Sequence, residues 1–307
     1  MPGLVLQSLW LSLGLSFALS LVAVAQEKAY EPLLPKAYRL VWHDEFNTGE
    51  LADHRWAAQF PWGTSPGDRH CQSHTRRNLA FTDSSIKLLV RKGPVDCRIS
   101  SYNEAGAYSP YTAEKPYDVA VLCSRDSFRY GYYAFRVRIP PAHPYRLPSG
   151  RLESSNIGMG ATIWMWRTRP KPEDYDWNEI DLIESKGIRN SWGSNVHWSP
   201  NGWNDGPDGK PTARHSWYPG LEPPEHYLQD GAFHTLAFYW TEDSISFFLD
   251  GKRTKTFRDT AICRHLLPMN IILMPMVTTN YGIMPSEWTI FPFFMELDWV
   301  RVYQRRR

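Results

Sequence analysis

Asp176-Trp177-Asn178-Glu179-Ile180-Asp181-Leu182-Ile183-Glu184-Ser185 interleaves acidic with aliphatic residues in the manner of a half-buried β-strand. Glu179 and Asp181 stand two apart and share a face, whereas Glu184 stands five from Glu179, an odd separation that turns it the other way. A β-bulge around Leu182-Ile183 restores the parity and points all three carboxylates to one side. At ~3.3 Å per residue the two glutamate Cα atoms then lie about 13 Å apart, and their side chains can lean together over Asp181. Two carboxyls ~5–5.5 Å apart suit double-displacement hydrolysis of a glycoside, one as nucleophile and the other as acid and then base. Crowded anions raise at least one pKa, which helps keep the acid protonated. The plainer alternative is a solvent-facing edge of acids on an ordinary amphipathic strand.

Outward from this stretch, short β-branched and aromatic runs alternate with Gly, Pro, Asn, Asp and Ser clusters, and no long helical periodicity appears. The pattern predicts strands at Tyr38–His43, Ser85–Arg91, Tyr117–Ser124, Phe128–Ile139, Ala161–Arg167 and Asn178–Ser185. It predicts five more at Ser194–Trp198, His234–Trp240, Ser244–Leu249, Ile271–Thr278 and Phe294–Tyr303. Asp250-Gly251 reads as a hairpin turn. So many short strands imply an all-β chain of two packed sheets, a sandwich or jelly roll. Stretches 140–160, 167–176 and 200–230 read as loops. The last holds Trp203, Trp217, Tyr218 and Tyr227, the content of an ordered binding loop.

The 307 residues are 42% hydrophobic and 21% charged, enough for a packed core and unlike a disordered chain. With 34 Lys+Arg against 32 Asp+Glu, no polyanion-binding signal exists, and nucleic-acid partners are not expected. Leu4 to Ala25 form a charge-free apolar run ending Ala23-Val24-Ala25, which fits a secretory signal peptide cleaved before Gln26. An uncleaved membrane anchor over residues 4–25 is the alternative. The expected organisation is a signal at 1–25, a lead-in at 26–37 and one catalytic-size domain at 38–307, secreted or periplasmic. Cys71, Cys97, Cys123 and Cys263 form two disulfides in an oxidising compartment or remain buried thiols; their spacing is not that of a zinc site.

The run Glu179-Ile180-Asp181-Leu182-Ile183-Glu184 resembles the bulged E-x-D-x-x-E signature of glycoside hydrolase family 16, as in laminarinases, agarases and carrageenases. Five further stretches resemble the family in order. They are Trp42-His43-Asp44-Glu45-Phe46-Asn47, Arg77-Asn78-Leu79 with Ile86-Lys87-Leu88, Tyr130 to Arg136, Ala161 to Trp166, and Asp298-Trp299-Val300-Arg301-Val302-Tyr303-Gln304. The resemblance spans roughly residues 38–304 and implies a concanavalin-like jelly roll whose concave sheet carries a sugar-binding cleft.

It also implies roles: Glu179 as nucleophile, Glu184 as acid/base and Asp181 as the modulator between them. His197 matches a histidine lining the cleft. Trp164 and Trp166 share a strand face and are candidate sugar platforms, Trp177 is on the catalytic face by parity, and Trp198 is expected in the core. The family often holds a structural calcium, whose carboxylate ligands map to Glu45 and Asp298; ordinary ion pairing is the alternative. No cofactor is required for catalysis. Two departures stand out: Ala134 where Glu is common, expected to remove a polar group beside the cleft, and Ala161 where Pro is common. The expected activity is endo-acting, retaining hydrolysis of a β-linked polysaccharide, a 1,3-glucan or an algal galactan, with no obligate protein partner. A transglycosylase and a non-catalytic glucan-binding protein are the alternatives. Sulfated galactans call for clustered cations, and Arg125, Arg129, Arg136, Arg138, Arg146 and Arg151 cluster in sequence.

Overall fold

The computed structural model describes residues 34, 37–146, 149–150, 152–168, 177–185, 192–200, 228–278 and 284–306. The signal stretch, Asp176 and the aromatic loop residues Trp203, Trp217, Tyr218 and Tyr227 lie outside the described residues. Strands run in chain order as β1 (Tyr38–Asp44), β2 (Trp56–Ala57), β3 (His70–Cys71), β4 (Leu79–Phe81), β5 (Ile86–Ile99) and β6 (Tyr111–Val119). Then come β7 (Leu122–Phe128), β8 (Gly131–Arg138), β9 (Pro144–Arg146), β10 (Leu152–Ser154), β11 (Met159–Trp166) and β12 (Trp177–Ser185). The last six are β13 (Trp192–Ser199), β14 (Phe233–Trp240), β15 (Ile245–Leu249), β16 (Lys252–Phe257), β17 (Met269–Val277) and β18 (Phe293–Arg305). Among the described residues one short α-helix, α1 (Thr260–His265), starts at Asp259, whose side chain caps the Ile262 amide. Among the described residues no helix is long and apolar enough to cross a membrane.

Two sheets stack as the alternating pattern requires. A six-stranded sheet has the order β13-β12-β11-β17-β7-β2. A ten-stranded sheet runs β16-β15-β14-β8-β18-β5-β6-β3, with β1 also on β18 and β4 also on β5. One continuous core joins Ile163, Met165, Ile180, Ile183, Ile271 and Leu273 of the first sheet to Phe135, Val137, Phe238, Leu297 and Val300 of the second. This is the expected all-β jelly roll. Asp250 and Gly251 turn the β15–β16 hairpin with φ of 47° and 76°, both positive as a type I′ turn demands.

Two expectations fail at the strand ends. Tyr117–Ser124 is not one strand: β6 ends at Val119, and β7 begins at Leu122 in the other sheet. Val119, Ala120, Val121 and Leu122 are all fully buried, so the chain changes sheets inside an unbroken apolar run. Periodicity has nothing to register at such a corner. The strand expected to stop at Arg91 continues to Ile99, because Gly93-Pro94 is absorbed as an irregularity in the β5–β6 pairing. The resulting long hairpin is pinned by a Cys71–Cys97 disulfide. Cys123 and Cys263 are buried free thiols, and burial pushes them up to about 12 and about 11.

Candidate active site

The bulge is where the parity of the acids requires it. Against β11, Ile183 faces Ile163 and Asp181 faces Trp164, leaving Leu182 without a counterpart. Against β13, Asp181 faces Asn195 and Glu184 faces Gly193, again with one extra residue on β12. Consecutive Leu182 and Ile183 therefore both enter the core, together with Ile180. Residues directly opposite in antiparallel strands project to the same side. The other face thus gathers Glu179, Asp181 and Glu184 with Trp166, Trp164 and Thr162 of β11 and with His197 and Asn195 of β13.

Each carboxyl has a named partner. The Trp177 indole Nε1 donates to Glu179 Oε2 at 2.6 Å, and Asn195 Nδ2 donates to Glu184 Oε2 at 2.9 Å. His197 Nε2 lies 3.2 Å from Asp181 Oδ2. Glu179 and Asp181 also share a side-chain hydrogen bond. Burial pushes the Glu179 carboxyl well above the usual carboxylate range, and the Asp181 charge adds to the rise, against His197 and the indole bond. The two acids therefore titrate as a pair. Burial lowers the His197 pKa, opposed by the charges of both Glu179 and Glu184, so its imidazole sits in the field of both glutamates and is neutral at neutral pH. The ligand atoms of Glu179, Asp181 and His197 lie within 4.8 Å of one another, close enough to receive a cation, although here they engage each other.

Residues 70–290 match the family model described as Glycosyl hydrolases family 16. The chain belongs to this family. It is 23% identical over 295 residues to glucan endo-1,3-beta-glucosidase A1 of Niallia circulans, covering 87% of this chain and 38% of that protein. The chain thus spans well under half the length of that relative. The laminarinase catalytic domain of Thermotoga maritima MSB8 superposes with a TM-score of 0.63 at 19% identity, over 89% of this chain and 100% of the other. The kappa-carrageenase of Pseudoalteromonas carrageenovora gives 0.60 at 19% identity, over 90% and 98%. Both are likenesses of fold.

Within this family 16 scaffold, the aromatic candidates divide into two groups. Trp164 and Trp166 are partly exposed on the site face, where platforms were expected. Trp177 is not a platform: it is 2% exposed, stacked on His197 at 4.8 Å and 14°, and serves as the hydrogen-bond donor of Glu179. His197 is 6% exposed beneath that indole, so it supports Asp181 rather than lining an open cleft. Trp198 faces the other way, packing on the core and on His265. The sequence reading passed over Phe60, Trp62 and Asn195. Phe60-Pro61-Trp62-Gly63, two aromatics in a loop punctuated by Pro and Gly, was the available signal for the first two. Asn195 stands two before His197 and so shares its face.

Three other expectations change. Glu45 and Asp298 do not fit a calcium site. Arg301 grips Glu45 with Nε at 3.0 Å and Nη2 at 2.7 Å, and Arg136 lies 3.3 Å from Asp298. Guanidinium groups stand where a hard cation would need open oxygens. Ala134 does not border the site: its neighbours Tyr133 and Phe135 enter the core, and it packs with Tyr132, Ala237 and Trp299 on the outer face of the ten-stranded sheet. The arginine cluster is dispersed among the described residues as well, Arg151 lying outside them. Arg138 pairs with Glu296 and Arg136 with Asp298 on that other sheet, while Arg125, Arg129 and Arg146 donate to backbone carbonyls. Ala161 is a core residue whose amide, absent in a proline, donates to Ser185 Oγ at 2.9 Å.

Proposed function

We propose that this protein is an exported, endo-acting hydrolase that cleaves a β-linked polysaccharide with retention of configuration. The single observation that carries the reading is the Leu182 bulge, which sets Glu179, Asp181 and Glu184 on one face beside the partly exposed Trp164 and Trp166. The endo-1,3-glucosidase name of the relative and the laminarinase and carrageenase names of the structural neighbours support a β-glycan substrate. The apolar run before Gln26 supports export.

In this reading Glu184, oriented by the Asn195 amide, gives its proton to the leaving glycosidic oxygen. Glu179, steadied by the Trp177 indole, attacks the anomeric carbon, and the carbon–oxygen bond to the leaving group breaks as the glycosyl–carboxylate bond forms. Ionised Glu184 then takes a proton from water, which attacks the anomeric carbon from the face the leaving group left, opposite Glu179, and breaks the glycosyl–carboxylate bond with net retention. Asp181 hydrogen-bonds to Glu179 and helps hold its proton, so Glu179 must release that proton to act as nucleophile, and Asp181 is placed to receive it. Neutral His197 holds Asp181 without adding a cation that would ionise it.

Proton NMR of the first turnovers on laminarin, agarose and kappa-carrageenan tests the reading. The β-anomer should appear first on the substrate cleaved, and Glu184→Gln should lose orders of magnitude in turnover with partial rescue by azide. An initial α-anomer, or a Glu184→Gln variant of wild-type rate, would sink it.

A further inference from the structure

Trp62 is 38% exposed, yet its indole is held by three other rings. Phe60 stacks on it at 4.7 Å and 13°, while Trp166 and Trp164 approach at 5.7 and 6.2 Å. Trp166 and Trp164 are the residues directly opposite Glu179 and Asp181. The loop carrying Trp62 therefore stands beside the catalytic strand and presents aromatic surface on the same side as the acids. An amphipathic ring left open next to a reactive centre is the usual form of a stacking surface for flat or ring-shaped ligands.

The loop is also braced from behind. Gly63 has a φ of 74°, a conformation that strains any other residue, and a Cβ there would also crowd Ser100 Oγ beside the β5–β6 hairpin. Thr64 bridges to Ile99, and its carbonyl accepts the Ser100 amide at 2.7 Å. Ser73 Oγ donates to the Arg98 carbonyl at 2.8 Å, and Cys71–Cys97 closes the connection covalently. The hairpin that the sequence did not reveal is thus the mount of the indole.

We propose that Trp62 is a rigid sugar-stacking wall of the cleft, holding a unit of the glycan beyond the one being attacked, and that the disulfide-braced hairpin is its positioning element. The inference rests on the glycan-cleaving reading and adds a residue and a substrate property to it. A fixed wall past β11 rewards chains long enough to reach it, so the enzyme should prefer polymer over the shortest oligosaccharide it cleaves. Preorganisation by the brace spares the ordering cost of a mobile loop.

The test is steady-state kinetics of Trp62→Ala and Trp62→Phe on whichever of laminarin, agarose and kappa-carrageenan the wild type cleaves fastest, and on its shortest cleaved oligosaccharide. Trp62→Ala should raise KM for the polymer about tenfold, equivalent to ~1.4 kcal/mol of binding, with kcat within about twofold and little change on the short substrate. Trp62→Phe should restore most of the loss. A Cys71→Ser/Cys97→Ser double variant should raise KM in the same direction, and adding Trp62→Ala to it should cost less than tenfold further. Gly63→Ala, which crowds Ser100, replaces that variant if it does not fold. An unchanged polymer KM in Trp62→Ala, or equal losses on long and short substrates, overturns the proposal. A wild type that binds these glycans in calorimetry without cleaving them overturns only the catalytic reading, and Trp62→Ala must then weaken that binding about tenfold or the wall falls too. Neither binding nor cleavage overturns both.

Discussion

Two strands of this molecule carry nearly the same linear pattern and do opposite things with it. β12 reads Glu179-Ile180-Asp181-Leu182-Ile183-Glu184, and β18 reads Glu296-Leu297-Asp298-Trp299-Val300-Arg301. Both bulge within the pattern, β12 at Leu182 and β18 at Asp298, which lies between the Leu297–Val137 and Trp299–Arg136 pairs. On β12 the flanking strands bring Trp166, Trp164, Thr162, Asn195 and His197, and the Glu179 carboxyl is pushed upward toward its protonated form. On β18 they bring cations. Glu296 Oε2 takes the Arg138 guanidinium at 2.9 and 2.5 Å while Oε1 accepts from Ser85 at 2.7 Å, and Asp298 faces Arg136. An acid given a guanidinium is a structural charge. An acid buried beside another acid, with an indole as donor, is held toward its protonated form. The neighbours across the sheet decide which.

The comparison breaks most visibly at the bulge. Deleting both Leu182 and Ile183 leaves β12 a regular strand with Glu184 three residues from Glu179, an odd separation that turns it toward the core. Activity should vanish and the melting temperature should fall by more than about 10 °C, because a carboxylate is then buried without partners. An active, stable double-deletion variant would mean that strand parity on β12 does not align the acids.

Removing one acid from each strand should next give stability changes of opposite sign. Glu296→Gln strands Arg138, whose side chain keeps 35% of its exposure against 3% for Glu296. The expected loss is about 2 kcal/mol, less than the roughly 3–5 kcal/mol of a fully buried pair, and it reads as a lower urea midpoint. Glu179→Gln should instead stabilise. A carboxyl whose folded-state pKa is raised leaves stability intact below its unfolded pKa, and stability falls as pH rises from there through the raised value. The glutamine variant avoids that fall, so it should melt about 2–4 °C higher than wild type at neutral pH, with the gain gone near about pH 4. A gain of equal size at both pH values would remove the charge argument. The smallest effect concerns calcium. Because Arg301 and Arg136 occupy Glu45 and Asp298, chelation by EGTA should move the melting temperature by less than about 1 °C. A larger drop would show a bound ion after all.

The legibility of the candidate site followed the reach of its signals. The acid triad and its bulge could be read because period two and a single parity conflict are local properties of ten residues. Trp177 was assigned to the right face, but its burial was not visible, since parity gives direction and not depth. Ala134 was placed at the wrong sheet face for a related reason: a strand motif does not say which side of a sandwich its alternate residues meet. Trp62 escaped because a loop residue has no period at all, and its contacts with Trp164 and Trp166 join segments about a hundred residues apart.

By itself, then, the sequence determined the all-β class, the Asp250-Gly251 turn, the bulged strand and the side on which Glu179, Asp181 and Glu184 stand. These depend on alternation, turn stereochemistry and a one-residue shift, all set within a few consecutive positions. Tertiary structure alone decided that the apolar run at Val119–Leu122 is a corner, that Cys71 pairs with Cys97, that arginines neutralise Glu45, Glu296 and Asp298, and that Asn195, Trp177 and His197 hold the acids. Those outcomes depend on which strands become neighbours, and the electrostatic fate of a carboxyl is written by the side chains across from it rather than by those beside it in the chain.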